Sequence, residues 1–107
     1  MDDMEKAEQL RRIEGMEEKL NSSLAAVRAL EQAMEAYEKT LGDIRTLEEY
    51  LSGPEWRADF EADEAGLLPA ELRRGVLSED GISHLLEEND EVRNALLELA
   101  ESLECPF

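Results

Sequence analysis

From residue 3 to residue 52 the chain contains no proline, and its apolar residues keep to one line. They are Leu10, Ile13, Met16, Leu20, Leu24, Val27, Leu30, Met34, Tyr37, Leu41, Ile44, Leu47 and Leu51. Steps of three and four give a mean near 3.5 residues, the period of a coiled-coil stripe. Charges of both signs fill the other positions. One helix over this stretch would be roughly 70 Å long. Asn21-Ser22-Ser23 could turn the chain into a hairpin, but Leu20 to Leu24 is one more step of four, so the phase runs through. A continuous helix is therefore expected over a hairpin. Gly42 is a soft spot, costing ~1 kcal/mol relative to Ala in a helix.

Ser52-Gly53-Pro54 ends this element and opens another, since proline suits the first helical turn, where its missing N–H would have no partner. Short helices are expected over 54–75: one carrying Trp56 and Phe60 on the same face and stopped by Gly66, a second from Pro69 to Arg74 stopped by Gly75. Val76 and Leu77 then form an apolar plug against the long helix. A C-terminal helix is expected over 78–104, with Ser78 as N-cap, Glu79 and Asp80 in the first turn and Pro106 closing it. At about 100° per residue, Ile82, Leu85, Val92, Leu96, Leu99, Ala100 and Leu103 share one side. Glu87, Asp90, Glu91, Glu98 and Glu101 share the other. The reading is an all-α single domain over 1–107, its last helix returning antiparallel with the apolar side buried.

Charge decides what such a helical chain can meet. Asp and Glu number 28 against 11 Lys and Arg, for a formal net charge of −17 on 107 residues. A surface this negative repels nucleic acid and anionic membrane, so neither is an expected direct ligand, and it steers basic partners inward. The apolar share of 42% is too large and too regular for a disordered acidic tail. The acidic start Met1-Asp2-Asp3-Met4-Glu5 lacks the basic-then-apolar order of a signal peptide. No apolar run reaches the ~20 residues of a membrane helix, and the expected location is cytoplasmic. A single cysteine, Cys105, cannot form an internal disulfide.

The block from Trp56 to Glu64 (Trp-Arg-Ala-Asp-Phe-Glu-Ala-Asp-Glu), followed by Leu68-Pro69 and by Leu72-Arg73-Arg74-Gly75-Val76-Leu77-Ser78-Glu79-Asp80, resembles a known signature. It is similar to W-x-x-D-[FY]-E-A-D-E-x-G-x-L-P-x-x-L-[KR]-R-G-V-L-S-E-D, carried by a small bacterial and phage-borne family of domains of unknown function. Arg12-Ile13, Met16 and the stretch Leu47-Glu48-Glu49-Tyr50 resemble that family too. The resemblance implies an all-helical fold and brings no activity, cofactor or catalytic residue with it.

Few residues suggest chemistry of their own. Asp59, Asp63 and Glu64, with His84 if it folds nearby, are candidate ligands for a hard or transition-metal cation. Carboxylates one turn apart arise by chance in so acidic a chain, and the calcium-loop pattern is absent. Capping and pairing with Arg57, Arg73 or Arg74 is the plainer role. His84 is expected on the helix surface, and it has no nucleophile beside it in sequence. No Gly-rich phosphate loop, Cys/His metal spacing or activated nucleophile is present, so the reading is not an enzyme and names no cofactor.

The C-terminal stretch 81–107 concentrates charge, with seven acids against one Arg, where 1–52 has thirteen against seven basic residues. Glu87, Asp90, Glu91, Glu98 and Glu101 spread five carboxylates over ~21 Å of helix axis. One DNA strand presents a phosphate every ~3.4 Å, so the stripe is a diluted phosphate row. The expected function is a non-enzymatic acidic interaction protein that binds a basic protein surface. Its sharpest form is a nucleic-acid mimic inhibiting a nuclease or CRISPR effector. The alternatives are a structural coiled-coil adaptor or homodimer engaging residues 10–44, and a metal-binding helical protein.

Overall fold

The computed structural model describes residues 2–104. Among these residues there are three α-helices, one 3₁₀ turn and no strand: α1 Asp3–Ser52, α2 Pro54–Glu64, the 3₁₀ turn Gly75–Leu77 and α3 Gly81–Glu104. Contacts divide the chain into two compact units, residues 1–41 and 42–107.

The first unit consists of the greater part of α1. Asp2 starts the helix: its carboxylate accepts a hydrogen bond from the Glu5 N–H at 2.8 Å, and its carbonyl accepts the first helical bond from Lys6. An acidic side chain there satisfies a free N–H and complements the helix dipole. Asn21, Ser22 and Ser23 are helical, so α1 is continuous and the hairpin does not form. The three residues are of modest helix propensity and lie between Leu20 on one side and Leu24, Ala25 and Ala26 on the other, which favour the helix.

The second unit takes in the last part of α1, then α2, the 3₁₀ turn and α3. Gly53 separates α1 from α2 as the only intervening residue, with Pro54 at the start of α2. Gly66 stops α2 in the left-handed region at φ 73°. There the Leu67 N–H reaches the Ala62 carbonyl and the Gly66 N–H reaches that of Asp63. This pair of bonds is the glycine-terminated helix end that the Gly66 position implied.

Three local expectations are corrected. Pro69–Arg74 is not a helix but a run of turns: the Leu72 N–H donates to the Pro69 carbonyl, and the Arg74 guanidinium holds the carbonyls of Pro69, Ala70 and Leu72. Ser78 does not cap α3: its hydroxyl donates to the Gly75 carbonyl and closes the 3₁₀ turn. The helix starts at Gly81, with the Asp80 carbonyl accepting from the His84 N–H. Nor is α3 buried along its apolar side. Among the described residues Leu77 and Ile82 are the buried hydrophobics, and Val92, Leu96, Leu99 and Leu103 are exposed. The 3₁₀ turn meets both α2 and α3 and carries the small core between them. Pro106 and Cys105 lie outside the described residues.

Candidate interaction surfaces

Three polar contacts and one aromatic stack tie the second unit together, and all of them use residues that carry the resemblance. The Trp56 indole N–H donates to the Val76 carbonyl at 2.8 Å, tying α2 to the 3₁₀ turn. Its ring stacks on Phe60 with centroids 5.1 Å apart and planes 18° from parallel. Arg74 Nε donates to Asp63 Oδ1 at 2.9 Å. Tyr50 at the end of α1 donates its hydroxyl to Asp59 Oδ2 at 2.6 Å. That bond, then burial and the charges of Asp59 and Glu55, push the phenol up to about 12.

These contacts settle the place of the candidate metal ligands. Asp59 is engaged by Tyr50 at the surface and Asp63, half-buried, by Arg74, so both carboxylates already accept from a neighbouring side chain. His84 lies on the surface of α3, Nε2 at 3.4 Å from Glu88 Oε1. Glu64 is exposed at the end of α2. Among the described residues no three His, Cys, Asp or Glu side chains gather as a metal-ligating group. The clamp expected of Arg73-Arg74 falls to Arg74 alone, and Arg73 lines a groove with Leu47, Val76, Ile82 and Leu85.

Two surfaces remain. The first is the seam of α1. Leu10, Ile13, Met16, Leu20, Leu24, Val27, Leu30, Met34 and Leu41 are all between 40% and 63% exposed, and α1 contains no buried residue. Contiguous exposed apolar area beyond a few hundred Å² marks an interaction site on a soluble protein. The second surface is α3. Glu87, Asp90, Glu91, Glu98 and Glu101 are all exposed on one face, as the sequence expects. Among the described residues the ion pairs are Arg74–Asp63 and His84–Glu88, so none of those five carboxylates is neutralised by a basic side chain.

Sequence reasoning did not anticipate the Tyr50–Asp59 bond or the tight junction at Gly81. An acceptor on α2 nine residues after Tyr50 is a weak signal, and the Gly81 constraint arises only when the 3₁₀ turn folds back on it. A Cβ at Gly81 would run into the Gly75 carbonyl oxygen and come within 2.6 Å of Ser78 Oγ.

A family model described as a domain of unknown function (DUF4298) matches residues 13–99. No curated protein and no solved structure matches the chain. No helix among the described residues is long and apolar enough to cross a membrane.

Proposed function

Since this chain belongs to the DUF4298 family, whose description assigns no activity, we propose from its own geometry that it is a non-enzymatic interaction protein. In this reading α1 docks a helical partner through the seam from Leu10 to Leu41. The observation that carries it is the exposure of nine large apolar side chains at coiled-coil spacing. Helices draw most of their stability from burying an amphipathic face, so a seam left in water is incomplete. Each such side chain gains about 1.5–3 kcal/mol on full burial, a driving force that the polar flanks do not offer.

A second reading rests on the segregated acids of α3. A basic protein surface would dock on Glu87, Asp90, Glu91, Glu98 and Glu101. The nucleic-acid mimic that blocks a nuclease or CRISPR effector is its sharpest form. Charge contacts of this kind act over about 10 Å at 0.1 M salt and fade as salt rises.

One affinity-capture experiment at low and high salt separates the two. Leu20→Asp/Val27→Asp tests the seam, and the fourfold Gln variant at Glu87, Glu91, Glu98 and Glu101 tests the acids. Capture lost only in the seam variant, and resistant to salt, supports the docking helix. Capture lost only in the Gln variant and at high salt supports the acidic face. Capture unchanged in both variants overturns both readings.

A further inference from the structure

Resting on the reading of the α1 seam as a docking surface, we propose that its occupant is a second copy of this chain, parallel and in register. The seam is not only apolar but strictly heptadic in its central part. Ile13, Leu20, Val27, Met34 and Leu41 recur every seven residues, and Met16, Ser23, Leu30, Tyr37 and Ile44 follow each of them by three. These are the two core positions, a and d, of a single uninterrupted heptad register. Leu24 widens the apolar strip beside them.

Length suffices for such a pair. Residues 13–44 span about 47 Å of axis, and α1 holds them in one unbroken helix. A contact strip of that length, roughly 10–12 Å broad, buries on the order of 1,000 Å² over two helices, the threshold of a specific interface. The copies supply matched layers all along it, so every a side chain meets its own kind.

The charges flanking the seam choose the orientation. In a parallel in-register pair, Arg12 at g faces Glu17 at e of the second copy, an attraction made twice by symmetry. Farther along, Lys19 faces Leu24, Ala26 faces Glu31, Ala33 faces Glu38 and Thr40 faces Arg45, so no like charges meet. An antiparallel pair with full overlap would instead set Glu17 against Glu38, twice. Ser23 points the same way. Parallel copies place the two Ser23 hydroxyls in one layer, where each gives the other a hydrogen-bond partner. The antiparallel arrangement sets Ser23 against Met34 and leaves its hydroxyl only the backbone carbonyl one turn back, the bond Thr46 and Ser52 make in this helix.

The test uses the full chain with Cys105→Ser. Sedimentation over the micromolar range is expected to give twice the 12.1 kDa chain mass. Met16→Cys in that background is expected to form a disulfide with itself on mild oxidation. A disulfide formed only when Met16→Cys and Leu41→Cys chains are mixed would overturn the parallel arrangement. Glu17→Arg is expected to weaken the dimer about tenfold, and the added exchange Arg12→Glu to restore it. A monomer at every concentration overturns the second copy as occupant. A photo-crosslinking residue placed at Met34 or, as control, at Gln32 then judges the underlying reading separately. Capture of another chain at Met34 alone keeps the seam as a docking surface, and capture at neither overturns that as well.

Discussion

Tyr50, two residues before the end of α1, donates a hydrogen bond from its hydroxyl to Asp59 on α2 at 2.6 Å. The bond fixes the corner at Gly53, where one residue separates two helices. It also ties the corner to pH, because ionising the phenol would remove the donated proton and set two negative oxygens together.

The folded-state pKa of Tyr50 is raised to about 12, first by the Asp59 hydrogen bond. An unfolded tyrosine titrates near 10, so folding favours the neutral phenol. The stability it contributes is whole below about pH 10 and is lost as pH rises through about 12. Tyr50→Phe is expected to cost ~1 kcal/mol at neutral pH, less than a buried bond to a charged acceptor because the pair is exposed. Urea titrations from neutral to high pH check this. The gap between wild type and variant should close as pH climbs past 10, and a gap that stays constant would refute it.

Arg74 satisfies three loop carbonyls and one carboxylate with a single planar group. A lysine ammonium is a point donor and cannot span those acceptors. Arg74→Lys is therefore expected to destabilise the second unit by about 1–2 kcal/mol and to open 65–74 to proteolysis. Limited digestion followed by mass spectrometry reads the cut sites. Equal resistance in both proteins would show that the charge alone suffices.

Two glycines should respond to alanine with opposite sign. At Gly42 nothing lies within 4 Å of an added Cβ, so Gly42→Ala is expected to raise stability by ~1 kcal/mol through helix propensity. At Gly81 the Cβ would strike the Gly75 carbonyl, which is backbone and cannot step aside cheaply. Gly81→Ala is expected to lose about 1–3 kcal/mol as the junction of the 3₁₀ turn and α3 is forced apart. Thermal melts of the two variants against wild type make the comparison.

Continuity of α1 through Asn21–Ser23 has its own test. Proline in a helix interior removes one hydrogen bond and clashes with the preceding turn, at a cost of about 3 kcal/mol. Ser22→Pro is expected to lower the helical circular dichroism signal and to weaken self-association. A chain that turned at this site would accept proline without change.

How far the sequence could be read depends on the range of the interaction. Periodicity is local, so α1 from residue 3 to 52 and the amphipathic pattern of α3 were legible. So were the stops at Gly53-Pro54 and Gly66, which act through their own backbone. The Pro69–Arg74 segment misled because its composition suits a helix, whereas the turns it forms are held by an arginine side chain that bonds three of its carbonyls. Ser78 misled likewise: a good N-cap residue spent its hydroxyl on the turn before it. The five acids of α3 were placed on one exposed face by helical geometry alone.

By itself the sequence determined that the chain is helical, where its long helix runs and which side of each helix is apolar, since these follow from residue spacing and intrinsic backbone preference. Only the tertiary structure decided what those apolar sides touch. In the second unit Leu77 and Ile82 close a small core on the 3₁₀ turn, and Tyr50, Trp56 and Arg74 find partners 9, 20 and 11 residues away. The seam of α1 and the outer half of α3 stay in water. Burial is a property of what packs against a face, and a hydrophobic stripe reads the same in sequence whether its neighbour belongs to its own chain or to another.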